Sequence, residues 1–349
     1  MDDSYSRRSR QGTGCGFGCS LLIVLFLALV GLTVYWSLDF AKEMARSGRK
    51  TGGLTLSSSG HGVDEYPEME EIWSSGTGSV KVVRIPIRGM IMMGEGSSLS
   101  PGSAGTALRA IRLATKDPAV KGIIMDVDSG GGGVTASDIL YHALKKFKAS
   151  GGGRQVVTIM GDVAASGAYY LAVASDYIMA HPTTITGSIG VIMHSFNVKG
   201  LVDKIGISDV TIKSGKNKDL LNPMQPVNPE QQAILQKMVD TMYERFVGLV
   251  AMNRRLKREA VVPYADGRVL TAQEALKAKL IDGIGYFEDA QAKVAELLKE
   301  EDVKVVRYEE EKTIWSLFSR PFFGFRGDIG KLLQERESRM MYRWNPVSE

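Results

Sequence analysis

The sequence predicts an α/β domain built on a largely parallel sheet, and two observations carry that prediction. From Val80 onward, short β-branched stretches alternate with stretches of helical periodicity. Two glycine-rich runs, DVDSGGGGVTAS (residues 126–137) and MGDVAASGAYY (residues 160–170), each follow a strand-like stretch and open a helix-like one. The two cysteines, Cys15 and Cys19, both lie near the start of one long apolar run, so no disulfide staples the globular part.

In chain order, the first feature is the uncharged stretch from Gln11 to Leu38. Its apolar part, residues 16–38, is long enough to cross a bilayer, and Tyr35 and Trp36 at its far end suit the interface. A cleaved secretory signal is the alternative, but the run is long for one and no small-x-small site follows it closely. An uncleaved anchor is therefore expected after a tail of residues 1–15. Orientation is not decided by charge, because Arg7, Arg8 and Arg10 before the span are balanced by Lys42, Arg46, Arg49 and Lys50 after it. Residues 39–79 lack apolar periodicity and carry LSSSGHG and SSGTGS, the composition of a stalk.

The domain is expected over residues 80–310. VKVVRIPIRGMI reads as a strand, ALRAIRLATKD as a helix and VKGIIMDVD as a strand, and after the first glycine run ASDILYHALKKFK reads as a helix. QVVTIMG (strand), AASGAYYLAVAS (helix), DYIMA and SIGVIM (strands), VKGLVDKIG (helix) and DVTIKS (strand) continue the alternation. A long amphipathic helix is expected from about Pro229 to Leu256 after the NPE start signal. FEDAQAKVAELLKE and VKVVRYEEE close the domain. The tail, residues 311–349, contains WSLFSRPFFGF and MMYRW, which read either as a disordered end or as an aromatic, basic segment that touches membrane or another subunit.

The formal net charge of +4, from 43 basic and 39 acidic residues mixed along the chain, gives no electrostatic case for nucleic acid. The glycine runs could cradle a phosphate, but neither GxxxxGK[ST] nor GxGxxG accompanies them. No His/Cys/carboxylate cluster suggests a metal, and no cofactor is expected. Small residues flanking Ser166 instead suit a hydroxyl that must admit a substrate backbone, with nearby N–H groups able to stabilise an oxyanion. A serine nucleophile needs a base. His61, His142, His181 and His194 are the histidines, of which His194 is the best placed. Lys213, Lys216 and Lys218 in IKSGKNKD are the other option, provided that burial or nearby cations keep one amine neutral and Asp219 does not face it.

Six stretches then carry a specific likeness: VDSGGGGVTASD, AASGAYYLA, TGSIGVI, SGKNKD, NPEQQAILQKMVDTMYERFV and DGRVLTAQEALKAKLIDGIG, in that order from about Val80 to about Asp289. With them the chain closely resembles the short, single-repeat form of bacterial signal peptide peptidase A, a membrane-anchored serine protease family. That resemblance implies a Clp-protease/crotonase-like domain of repeated β-β-α units. It implies Ser166 as nucleophile, Lys218 as general base through the G-x-x-K pattern read from Gly215, and Ser188 as the residue that orients the lysine. The backbone N–H groups of Gly131 and Gly167 would form the oxyanion hole. Where the family reads N-S-P-G-G, this chain has Asp128, Ser129, Gly130, Gly131 and Gly132, and an inward Asp128 carboxylate would disfavour an oxyanion. The resemblance further implies cleaved signal peptides as substrates, a bacterial inner membrane location with the domain outside the cytoplasm, and homo-oligomers whose sites are shared between subunits. An acyl-CoA hydratase or isomerase of the same fold, or a non-catalytic membrane scaffold, are the alternatives.

Overall fold

The computed structural model describes residues 69–93, 103–310 and 341–343. All of them fall in one of the chain's two units, Asp64–Glu349. The apolar run at residues 16–38 lies outside the described residues, among which no helix is long and apolar enough to cross a membrane.

The strands are β1 (Met69–Ser75), β2 (Lys81–Arg88), β3 (Val120–Ser129), β4 (Gly131–Gly133), β5 (Gln155–Ala165), β6 (Tyr177–Ala180), β7 (Ile185–Gly187), β8 (Val269–Thr271), β9 (Gly283–Ile284), β10 (Lys304–Glu310) and β11 (Met341–Arg343). The helices are α1 (Ser103–Lys116), α2 (Val134–Ala149), α3 (Gly167–Ala172), α4 (Lys199–Lys204), α5 (Pro229–Arg254), α6 (Arg258–Val261), α7 (Ala272–Lys277) and α8 (Phe287–Leu298). The main sheet runs β1-β10-β2-β3-β5-β6-β9, with β7 on β5 and β8 on β7. Pairing is parallel except at β1/β10 and β7/β8, which confirms the α/β expectation.

Both faces of this sheet are covered, and the central strands read accordingly. On β2 and β3, Val83, Ile85, Ile87, Ile123, Met125 and Val127 join the larger core, while Val82 and Ile124 point to the smaller one under α8. The larger core includes apolar residues of α1, α2, α3 and the C-terminal half of α5. Asn228 caps α5 by accepting from the Glu230 and Gln231 N–H groups, and Pro229 occupies its first turn, as the NPE signal predicts. Only the C-terminal half of α5 is anchored. Phe246, Val247, Leu249 and Val250 are buried there, each contributing about 1.5–3 kcal/mol by the usual transfer scale. Arg254 adds a two-pronged ion pair to Asp282, at 2.6 and 2.8 Å.

Three expectations change. The sheet takes in Met69–Ser75, within the span read as a stalk, because β1 pairs antiparallel with β10. The stretch AASGAYYLAVAS does not start as a helix: Ala164 and Ala165 still belong to β5, paired with Thr186 and Gly187. SIGVIM and DVTIKS form no strand of the sheet. Ile189 of SIGVIM is buried in the larger core, whereas the apolar residues of DVTIKS stand in solvent, with Val210 at 85% and Ile212 at 97% exposure. DVTIKS belongs to an arm, residues 191–245, in which Val202 is the one buried residue. Alternating apolar residues form a strand when a neighbouring edge pairs with them, and the described residues offer this segment none.

Candidate active site

Strand β5 forks. Its first part, Val157–Met160, pairs with β6, and its last residues, Val163–Ala165, pair with β7. Such a divergence at the carboxyl ends of parallel strands is where open α/β sheets place ligands. Ser166 is the residue at which β5 ends and α3 begins. Its N–H donates to the Gly187 carbonyl at 2.8 Å, which continues the β5/β7 ladder by one step and sets Ser166 beside Ser188. The structure thus brings these two residues to one place from stretches far apart in sequence.

Both serines are buried, at 1% and 6% exposure, and both have positive φ, 56° for Ser166 and 48° for Ser188. A non-glycine residue held there costs about 1–3 kcal/mol and persists only where its surroundings impose it. For Ser166 the imposing contacts are clear. Tyr169 and Tyr170, fully buried, anchor α3 from behind: the Tyr169 hydroxyl donates to the Leu280 carbonyl (2.8 Å) and the Tyr170 hydroxyl to Asp138 (2.6 Å). Arg245 in turn donates to the Tyr170 oxygen (3.0 Å) and to Asp138 (2.6 Å), which ties α3 to α2 and α5. Burial pushes the Tyr169 hydroxyl far above its ordinary pKa, so it stays a donor. The Ser166 hydroxyl has no hydrogen-bond partner among the described residues, and neither has the Gly167 N–H at the first position of α3.

The β4 strand lies alongside α3. Gly131 adopts φ 100°, and its N–H is held by the Ser129 hydroxyl (3.1 Å), which itself donates to the Gly89 carbonyl (2.5 Å). Ile91 takes the Gly131 carbonyl (2.9 Å) and the Gly133 N–H (2.8 Å). By strand alternation, Gly132 therefore turns its N–H and C=O the other way, toward β11. A side chain at Gly132 would put Cβ 2.2 Å from the Ile91 carbonyl oxygen, so this position requires glycine. Ser129 and Gly132 are residues that sequence reasoning missed. Four successive glycines gave no signal for which one would face outward. The Asp128 carboxylate accepts from the Val163 N–H at 3.1 Å, so the departure from the family's asparagine bridges β3 to β5.

Among the lysines the structure discriminates sharply. Lys213 is paired with Asp219 (2.7 Å) and Lys216 with Glu230 (2.6 Å). The Lys218 ammonium has no side-chain partner among the described residues, and its backbone N–H closes a turn onto the Gly215 carbonyl (3.1 Å). Asp219, which could have held an ion pair with Lys218, is committed to Lys213. Lys218 is exposed on the arm, and no hydrogen bond joins it to Ser166 or Ser188. Of the histidines within the described residues, His194 stacks edge-on against Phe196 on the arm, His181 packs on Tyr286 and His142 is exposed on α2; none bonds to Ser166. His61 lies outside the described residues. A cleft of about 910 Å³ on the arm is lined by Phe196, Val210, Lys213, Asp219 and Leu221 among others, but by neither Ser166 nor Lys218.

Comparison with known proteins gives these features a family. The sequence pattern of peptidase family S49 matches residues 148–301, a span that holds Ser166, Gly167, Ser188 and Lys218. A protein of Enterococcus faecium named as signal peptide peptidase SppA is 32% identical over 308 residues, 87% of this chain and 86% of that protein. A protein of Methanocaldococcus jannaschii named as a protease is 31% identical over 91% of this chain and 94% of its own length. The chloroplastic serine protease SPPA of Arabidopsis thaliana is 34% identical over 63% of this chain, which spans 33% of that longer protein. On this likeness over nearly its whole length, the chain belongs to peptidase family S49, as a serine protease of the signal peptide peptidase A type.

Proposed function

We propose that this protein hydrolyses apolar peptides, remnant signal peptides foremost, with a Ser166–Lys218 dyad completed between two copies of the chain. The observation that carries the reading is the contrast between the two residues. Ser166 is buried and conformationally held, and its hydroxyl has no hydrogen-bond partner among the described residues, whereas Lys218 is the one lysine of three with no side-chain partner among them and stands in solvent. A solvated ammonium is a poor general base, because only the neutral amine accepts a proton and burial is what favours that form. The arm that bears Lys218 exposes Phe196, Leu201, Ile205, Ile207, Val210 and Ile212, an apolar surface suited to a second copy. Docking of that surface beside a neighbour's Ser166 would desolvate the amine, and a head-to-tail arrangement would repeat around a ring.

In this reading, neutral Lys218 takes the Ser166 proton as the hydroxyl oxygen attacks the substrate carbonyl. Ser188 orients the amine, and the N–H groups of Gly167 and of the β4 glycines, Gly131 first, hold the oxyanion. The Gly131 N–H must exchange Ser129 for substrate to do so. The ammonium protonates the leaving amine, and water, deprotonated by the same lysine, releases the acyl group. No metal or cofactor enters this chemistry. The fold is read as Clp-protease/crotonase-like, with residues 16–38 as a single-pass anchor in the bacterial inner membrane, residues 39–68 leading to the domain, and the domain on the extracytoplasmic side. Names of the relatives support the substrate class; membrane peptides left after secretion are extended and apolar, as the glycine-lined edge would accept.

A serine-reactive fluorophosphonate tests the assignment. It is expected to label the wild type at Ser166 alone and to leave Ser166→Ala unlabelled. Equal labelling of both proteins would remove Ser166 from the mechanism.

A further inference from the structure

We propose that Asp128 is a positioning residue for the nucleophile: its carboxylate pins the bulge that carries β5 from β6 to β7 and so sets Ser166 in place. The inference rests on the reading of Ser166 as the nucleophile. Between Val127 and Ser129 strand β3 keeps its extended course, but its partner β5 runs from Met160 to Ala164 over the same step. The ladder therefore breaks opposite Asp128, and Gly161, Asp162 and Val163 bulge out of it. This is also where β5 changes neighbour, since its pairing with β6 ends at Met160 and its pairing with β7 begins at Val163. The bulge is thus the cause of the fork that ends in Ser166.

Asp128 serves its two neighbouring strands in different ways. Toward β2 it uses the backbone, where its carbonyl accepts from the Gly89 N–H at 3.1 Å. Toward β5 it uses the side chain, where Oδ1 accepts from the Val163 N–H at 3.1 Å, at the far end of the bulge. The bulge also lies close against it. A Cβ on Gly161 would stand 3.0 Å from the Asp128 Cβ and 3.3 Å from the carboxyl carbon, so glycine lets the backbone settle onto this side chain. From the other flank, the buried Thr184 hydroxyl donates to the Gly161 carbonyl at 2.6 Å. Only Ala164 and Ala165 separate the pinned Val163 from Ser166. A bulge re-aims the residues that follow it, and a nucleophile misplaced by about 1 Å loses about 10²-fold in rate. What the site asks of residue 128 is an oxygen acceptor at that point, a demand that an amide oxygen also meets.

The test uses full-length wild type, Asp128→Ala, Asp128→Asn and Gly161→Ala, each labelled with a fluorophosphonate. The amplitude counts the folded, competent sites, and the rate constant reports how well each one is aligned. Asp128→Ala is expected to lower the rate constant, and kcat for an apolar peptide, by about 10–100-fold, with KM within about two-fold of wild type because β4 is untouched. Gly161→Ala keeps the carboxylate but crowds it, and should slow labelling in the same way. Asp128→Asn should label and turn over within about two-fold of wild type. A normal rate constant in Gly161→Ala, or in whatever fraction of Asp128→Ala folds, would overturn the proposal; a lower amplitude alone would mean that Asp128 only stabilises the fold. An Asp128→Asn protein as slow as Asp128→Ala would also overturn it, by assigning the effect to charge instead of the hydrogen bond. Absence of Ser166 labelling in the wild type would overturn the site reading and this positioning role with it.

Discussion

Ser166→Ala is expected to lower kcat/KM for peptide hydrolysis by at least about 10⁴-fold, as loss of a serine nucleophile does elsewhere. It should do so without loosening the fold. The hydroxyl makes no hydrogen bond among the described residues, so its removal orphans no partner, and the alanine keeps the same backbone demand at φ 56°. Thermal unfolding should stay within about 0.5 kcal/mol of wild type, the range of substitutions that break no contact. Ser166→Gly separates strain from chemistry: it should be as inactive as alanine but more stable than it by about 1 kcal/mol, because glycine adopts positive φ freely. A glycine variant less stable than the alanine variant would mean that the Ser166 backbone is not strained. Residual activity near wild type in either variant would place the nucleophile elsewhere.

Lys218→Ala carries the second large effect, a fall of about 10²–10⁴-fold in kcat, the usual contribution of a positioned general base. Lys213→Ala and Lys216→Ala are the informative controls. Each lies within a few residues of Lys218 and each has its own carboxylate partner, Asp219 and Glu230, at the surface of the arm. An exposed pair such as Lys216–Glu230 contributes about 0–1 kcal/mol, so Lys216→Ala should keep activity within a few-fold of wild type, whereas Lys213→Ala frees Asp219 to hold the Lys218 ammonium and should lower activity further. If His194→Ala were inactive while Lys218→Ala turned over normally, the base would be the histidine.

Much of this was legible from residue pattern because the relevant physics is local. Glycine runs after strands, the NPE cap of α5 and the β-branched strands of the parallel sheet each encode their conformation within a few residues. The α/β class and the placement of Ser166 at a strand-to-helix junction followed from them. What was not legible depends on partners distant in the chain. DVTIK has the alternation of a strand, yet it finds no edge to pair with among the described residues and stands in solvent. The β1 strand was lost among stalk-like residues because its place is fixed by β10, more than 200 residues on in the sequence. Asp128 looked like a threat to an oxyanion until the Val163 N–H supplied its partner. Of the three lysines, no spacing rule could tell which would be left unpaired, since the choice was made by Asp219 and Glu230.

The central claim is that an active site draws Ser166 from one copy and Lys218 from another. Co-expression of differently tagged Ser166→Ala and Lys218→Ala chains, with co-assembly verified by tandem pull-down, tests it most directly. Each variant alone is inactive. In a mixed ring with equal amounts of both chains, about a quarter of the junctions pair an intact serine with an intact lysine, so activity should return to about a quarter of wild type per site. Co-assembled mixtures with no activity above that of the separate variants would place the dyad within one chain and contradict the account.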